Sequence, residues 1–246
     1  MMNLHLSRRI QHLLTGLAIL SLSYVIPPYP LGSALLSAAT LAFYFAHRRR
    51  LHDYEYDTNY LRQFGGLLRE EERGEWILDD GSQCDKMDEN GKLKYRRKSH
   101  PILPGAFYFL LGTAMSSALF TTRIAQTSLL VLSVSDPAAG FAGVWFANMN
   151  CNITWSRLWG IVRGEKGMNI GPTVVGSLAC GISTLLCTYV YFPKDYPNLD
   201  VRWRIIVGVV VSIVEAAAGR CMMLPVDDNL LIPLVAGGLL TWLVQT

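Results

Sequence analysis

The stretch TSLLVLSVSDPAAGFAGVWF, residues 127–146, places an aspartate and a proline inside an apolar run that has the length of a membrane span. A charged side chain at the centre of a span costs at least about 2.5 kcal/mol, so such an acid faces a partner or a wet cavity. Pro137 removes a helical hydrogen bond, and the small residues after it permit close helix approach. The stretch predicts a membrane helix with a functional Asp136, and the alternative is a kinked packing seam with a protonated aspartate.

The composition of the whole chain also indicates a membrane protein. Of its 246 residues, 51% are hydrophobic and 17% are charged, whereas a soluble domain carries about 25% charged residues. The net charge of +3 gives no support to a nucleic-acid partner. The five cysteines form no CxxC pair, and we expect them to be unpaired thiols.

Seven apolar intervals predict an all-α, polytopic membrane bundle of about seven transmembrane helices. They are residues 11–27, 31–46, 102–120, 124–147, 172–192, 203–219 and 230–244. Several are shorter than the roughly 20 residues that cross a bilayer unaided, so we expect these to borrow polar flanks or to sit within the bundle. The predicted organisation is an N-terminal transmembrane hairpin (1–50), a cytosolic charged segment (51–100) and a catalytic transmembrane domain (101–246).

The basic residues predict the orientation of the bundle. If the N-terminus is cytosolic, all but four of the 22 Lys and Arg residues fall on the cytosolic side. The exceptions are Arg123, Lys194, Arg202 and Arg204. Segment 53–98 is then predicted to be a solvated, partly helical linker or small cap. The alternative for its end, Tyr95 to Lys98, is contact with a nucleotide or a lipid headgroup.

Acids, hydroxyls, glycines and cations from separate segments meet at the cytosolic face in this topology. Two acids, Asp136 and Glu215, lie inside apolar intervals, and a third group precedes the last interval, where one member is expected to cap the helix. A basic loop leads into GPTVVGS at the start of the fifth interval. The candidate residues are Asp136, Arg163, Lys166, Thr173, Gly176, Ser177, Glu215, Asp227, Asp228 and Asn229.

These residue types together suit phosphoryl transfer to a lipid that reaches the site sideways from the bilayer. Carboxylates and amides hold Mg²⁺ with its phosphate ligands, and cations offset the charge on phosphate oxygens. A helix N-terminus accepts an anion, and an acid can take the proton of an attacking alcohol. The chain contains no GxxxxGK[ST] loop, HExxH, GxSxG or protein-kinase signature, so these classes of enzyme find no support.

Four short motifs, SVSDPAAGFAG, GPTVVGSLACG, VSIVEAAAG and VDDNLLIPLVAG, follow one another in the part of the chain after the charged segment. They resemble the membrane lipid kinases that include CTP-dependent diacylglycerol kinase, dolichol kinase and phytol or farnesol kinase. The resemblance implies Mg²⁺-requiring transfer of phosphate from CTP to a membrane alcohol, at the cytosolic face of the endoplasmic reticulum or nuclear envelope. Diacylglycerol is favoured because the chain is short for a dolichol kinase and because residues 96–120 resemble the diacylglycerol enzymes.

The resemblance carries over roles for Asp136, Thr173, Gly176, Ser177, Glu215, Asp228 and Asn229. Arg163, Lys166 and Asp227 are added because of their charge and position. The expected catalytic residues are Asp136, Glu215 and Lys166, and the expected metal ligands are Asp136, Asp227 and Asp228. The expected nucleotide-binding residues are Arg163, Thr173, Gly176, Ser177 and Asn229. Pro172 stands where the family carries a lysine, so Lys166 or Arg163 is expected to supply that charge. The open alternatives are a polyprenol kinase, a phosphatidate cytidylyltransferase-like enzyme, and a non-catalytic member or transporter.

Overall fold

The computed structural model describes residues 2–78, 95–99, 101–148, 154, 173–192, 200–218 and 227–245. Over these residues the protein is all-α in class, as predicted, with eight α-helices of eleven or more residues. The chain divides into two compact units. The smaller contains Met1–Arg8 and Ala39–Phe107, and the larger contains Arg9–Ala38 and Tyr108–Thr246.

The helices follow the apolar intervals closely. They are α1 (Met2–Leu22), α2 (Ser33–His52), α3 (Tyr54–Phe64), the single turn α4 (Glu70–Arg73), α5 (Gly105–Leu119), α6 (Thr122–Asn148), α7 (Val174–Tyr191), α8 (Val201–Ala218) and α9 (Asp228–Gln245). A short antiparallel ribbon in the smaller unit joins β1 (Glu75–Leu78) to β2 (Tyr95–Ser99). Helix α6 continues through Pro137, so the proline does not end the predicted span.

Among the residues that the structure describes, four segments are long and apolar enough to cross a membrane. They are Pro28–His52, Thr122–Phe146, Val174–Tyr191 and Asp228–Gln245. Helix α5 is apolar but has only 15 residues. These segments indicate an integral membrane protein, and the count of seven spans stays a prediction.

Helix α7 has the distribution of side chains that a lipid surrounding requires. Leu178, Ile182 and Leu186 follow one another at spacings of four residues, and each is more than half exposed. The face that α7 buries instead carries small polar and thiol side chains, including Thr184 and Cys180. Because the apolar stripe points outward, the solvent that suits this surface is hydrocarbon.

The core of the larger unit lies among α6, α7, α8 and α9. Helix α6 packs against α7 and α9, and α8 packs against the same two helices. Val131, Leu132, Val207, Val211 and Ile232 are fully buried between them. This packing brings together helices that the chain separates by loops, and so places Asp136 and Glu215 in one bundle.

The smaller unit has a polar centre. The guanidinium of Arg50 and the carboxylate of Asp57 form an ion pair of 2.6 Å, and both side chains are fully buried. The Trp76 indole donates to the second carboxylate oxygen of Asp57 at 2.8 Å. The described part of segment 53–98 therefore belongs to a small folded unit and is not a solvated linker.

Candidate functional site

Helix α1 runs antiparallel to α6 in one continuous register. The contacting pairs are Arg9 with Gly140, His12 with Asp136, Gly16 with Ser133, and Ser23 with Gln126. The two residue numbers of each pair add up to nearly the same value, as they must when two helices run in opposite directions. A Cβ atom at Gly16 would overlap the Ser133 side chain, so the helices approach closely at this point.

Helix α7 lies along another side of α6, also antiparallel. The first turn of α7 lies close to the end of α6. A Cβ atom added at Gly176 would lie 2.9 Å from the Ala139 carbonyl oxygen, and a Cβ atom added at Gly143 would lie 2.9 Å from Thr173 Oγ1. Deeper in the bundle, the hydroxyls of Ser135 and Thr184 form a buried hydrogen bond of 2.9 Å. Small residues at the start of α7 and the end of α6 therefore permit the contact.

The position of Asp136 on α6 follows from the helical geometry. At about 100° per residue, Gly140 is rotated by roughly 40° to one side of Asp136 and Gly143 by roughly 20° to the other. Gly140 faces α1, and Gly143 faces α7. Asp136 therefore points into the groove between these two helices, which we call the α1/α7 groove. Its side chain is 25% exposed there.

Two side chains of α1 border this groove. His12 Nδ1 lies 3.1 Å from Asp136 Oδ2, and its ring packs against Phe109 at a centroid distance of 4.4 Å. The Arg9 guanidinium donates to the Gly140 carbonyl and lies 5.9 Å from the centre of the Phe141 ring. Neither residue is predicted as a site member from the sequence, because no local motif marks a His or Arg of the first helix.

The opposite wall combines the start of α7 with the acid Glu215 of α8. Thr173 caps α7, its hydroxyl oxygen accepting from the Gly176 amide at 3.0 Å. One turn later, the Ser177 hydroxyl donates to Glu215 Oε2 of α8 at 2.9 Å. Glu215 and Asp136 are close enough to interact electrostatically. The structure thus brings together the predicted residues Asp136, Thr173, Gly176, Ser177 and Glu215.

The start of α9 carries the third acidic group. Asp227 Oδ1 accepts from the Asn229 backbone amide at 3.1 Å and from its side-chain Nδ2 at 2.6 Å, and Asp228 Oδ1 accepts from the same backbone amide at 2.9 Å. Asp227, which precedes α9, therefore makes the capping contact that was expected of one residue in this group. Asp136, Glu215 and Asp228 each interact electrostatically with Cys180. Carboxylates from α6, α8 and α9 are therefore all within electrostatic reach of one buried thiol of α7.

The donor set is suitable for a magnesium ion that also binds phosphate. Within the described residues, no three His, Cys, Asp or Glu side chains lie close enough to hold a metal by themselves. Mg²⁺ usually takes only one or two carboxylates from the protein and completes its shell with phosphate and water. Asn229 is buried, and its Oδ1 has no hydrogen-bond partner among the described groups. This amide oxygen beside Asp227 and Asp228 fits such an ion.

The predicted cations Arg163 and Lys166, and Pro172 in the place of a lysine, lie outside the described residues. Their role in binding phosphate stays a prediction. Comparison of the chain with protein-family models, with curated proteins and with solved structures found no match. The motif resemblance and the geometry of the α1/α7 groove are therefore the two grounds for a function.

Proposed function

We propose that the protein is an integral-membrane kinase that transfers the γ-phosphate of CTP to a membrane alcohol, with diacylglycerol as the acceptor and phosphatidate as the product. The observation that carries the proposal is that Asp136, Glu215 and Asp228 are all within electrostatic reach of Cys180, and that Asp136 and Glu215 also interact with each other. Acids are costly within apolar helices, so three of them in one bundle imply a task that needs negative charge or oxygen ligands. The choice of CTP, of the lipid and of an endoplasmic reticulum location comes from the motif resemblance.

Each group has a part in this reaction. Asp136 lies in the partly open α1/α7 groove, where it can take the proton of the acceptor hydroxyl. Ser177 holds the Glu215 carboxylate in place through a hydrogen bond of 2.9 Å. Asp227, Asp228 and the Asn229 amide oxygen would hold Mg²⁺, which when bound offsets negative charge on the phosphate oxygens. Arg163 and Lys166 are the proposed phosphate clamp.

Two labelled nucleotides test the reaction class with purified protein in detergent. γ-labelled CTP or ATP is supplied with Mg²⁺ and, in separate reactions, diacylglycerol, dolichol, phytol and farnesol. A kinase moves the γ-label into one of these lipids. α-labelled CTP with phosphatidate tests the alternative, because a cytidylyltransferase moves the α-label into a CDP-lipid. Transfer of the α-label alone would contradict the proposal.

The variant Asp136→Asn tests the central residue. Loss of a general base lowers kcat by about 10²- to 10⁴-fold, and we expect a fall in this range. Asp200→Asn is the matched control, because this substitution removes the same charge. The Asp200 side chain is 61% exposed and lies just before the start of α8. Unchanged turnover in Asp136→Asn would remove Asp136 from the mechanism.

A further inference from the structure

We infer that α1 forms one wall of the catalytic site and that His12 is a positioning residue for Asp136. This inference rests on the proposed function, because it gives His12 a task in that reaction. Neither the motifs nor their spacing assign a role to α1. The observation that carries it is the contact of 3.1 Å between His12 Nδ1 and Asp136 Oδ2, made by a side chain that is only 10% exposed.

The contact belongs to the way the two helices pack. His12 is one member of the antiparallel register in which Arg9 meets Gly140 and Gly16 meets Ser133. The pairs on both sides hold α1 against α6, so the imidazole reaches Asp136 from a fixed backbone. The ring is also held by Phe109, at 4.4 Å between centroids and with the two planes inclined by 54°.

The contact between His12 Nδ1 and Asp136 Oδ2 restrains a torsion of the carboxylate that packing leaves free. The carboxylate of an aspartate turns about a terminal torsion that has broad minima, so packing of the Cβ atom alone does not fix its plane. In its proposed role as base Asp136 is ionised and can only accept a hydrogen, so in the proposed reaction imidazole Nδ1 is the nitrogen that carries one. Within the described residues His12 Nε2 has no hydrogen-bond partner, so the 3.1 Å contact of Nδ1 with Asp136 is the polar contact of the ring.

In the proposed reaction the acceptor hydroxyl oxygen bonds to the γ-phosphorus of the nucleoside triphosphate. The bond from that phosphorus to the bridging oxygen breaks, and the nucleoside diphosphate leaves with the electron pair. The hydroxyl proton passes to Asp136. His12 touches neither substrate, and it acts by holding the Asp136 carboxylate in the orientation that accepts this proton.

Two substitutions of His12 separate positioning from packing. The amide Nδ2 of asparagine can take the place of imidazole Nδ1 and donate to Asp136, whereas leucine fills more of the ring's volume but donates nothing. We expect His12→Leu to lower kcat by about 10- to 100-fold with little change in KM for CTP, and His12→Asn to retain activity to within about fivefold. Thermal midpoints of the purified variants show whether each one is folded.

The opposite ranking would overturn the inference. If His12 serves only to pack against Phe109, the leucine variant is the more active of the two, because it preserves more apolar contact. A lower thermal midpoint for His12→Asn together with lower activity than His12→Leu is the signature of this structural role.

A measurement without turnover distinguishes this inference from the proposed function. The pair His12→Cys and Asp136→Cys is treated with a short bis-methanethiosulfonate, and the linked peptides are identified by mass spectrometry. The control pair replaces Ile10 instead of His12, because Ile10 is 42% exposed on another face of α1. A link at 12–136, when the unsubstituted protein phosphorylates no lipid, would support the contact of α1 with α6 and reject the kinase. Equal linking of the control pair would overturn the contact itself.

Discussion

The buried pair of Arg50 and Asp57 makes the stability of the smaller unit testable. Arg50 Nε donates to Asp57 Oδ1 at 2.6 Å, and Arg50 NH2 donates to the carbonyls of Glu72 at 3.1 Å and Arg73 at 3.2 Å. The guanidinium also lies 4.4 Å from the centre of the Tyr60 ring. One side chain thus joins the end of α2, helix α3 and the turn α4.

Arg50→Met removes the charge and all of these donors but keeps most of the side-chain length. Removing one partner of a buried ion pair costs about 3–5 kcal/mol, because the other charge stays buried and uncompensated. Since 1.4 kcal/mol is a factor of ten, we expect amide hydrogen exchange in α3 to become at least about 100-fold faster. Exchange followed by mass spectrometry reports this unit separately from the membrane helices.

The neighbouring pair on the same helices is the control. Arg49 and Asp53 are 3.4 Å apart, but their side chains are 65% and 38% exposed. An exposed pair contributes about 0.2–1 kcal/mol, so Arg49→Met should change exchange in α3 by less than about tenfold. The double variant with Arg50→Met and Asp57→Leu should be less destabilised than either single variant. Equal exchange in Arg50→Met and Arg49→Met would refute the reasoning.

Two further predictions concern a helix cap and a helix crossing. Asp53 caps α3 by accepting from the Tyr56 amide at 2.9 Å, and this bond lowers the pKa of Asp53. The stabilisation of α3 by Asp53 is therefore complete above the ordinary aspartate pKa and is lost as the pH falls through the lowered pKa of Asp53. Asp53→Ala should cost about 1 kcal/mol of helix stability at neutral pH. It should also remove this loss of protection at acid pH from the amide hydrogen exchange of α3. A Cβ at Gly208 would lie 2.8 Å from the Gly181 carbonyl oxygen, whereas a Cβ at Gly238 meets nothing within 4 Å. Gly208→Ala should thus lower the free energy of unfolding by about 1–3 kcal/mol, and Gly238→Ala should not. Equal thermal midpoints of the two variants would contradict the close crossing of α7 and α8 at Gly181 and Gly208.

Much of the candidate site was within reach of the sequence. Asp136 and Glu215 stand out because an acid in an apolar run is costly wherever the run folds, and this cost depends on the residue and its immediate surroundings. Thr173 was placed at the start of a helix by the change from a polar loop to an apolar interval, and α7 begins at Val174. The structure adds that Ser177 of α7 hydrogen-bonds to Glu215 of α8.

The sequence by itself determined the helical class, the apolar segments and the acids that these segments bury, because hydropathy, charge and helix-breaking residues act over a few neighbouring positions. Only the tertiary structure decided that His12 meets Asp136 and that Arg50 is buried with Asp57. The register of one helix against another depends on small residues such as Gly16 and Ser133, which are far apart in the chain and carry no local signal. For the same reason, a histidine of the first helix becomes part of the candidate site only when the helices pack.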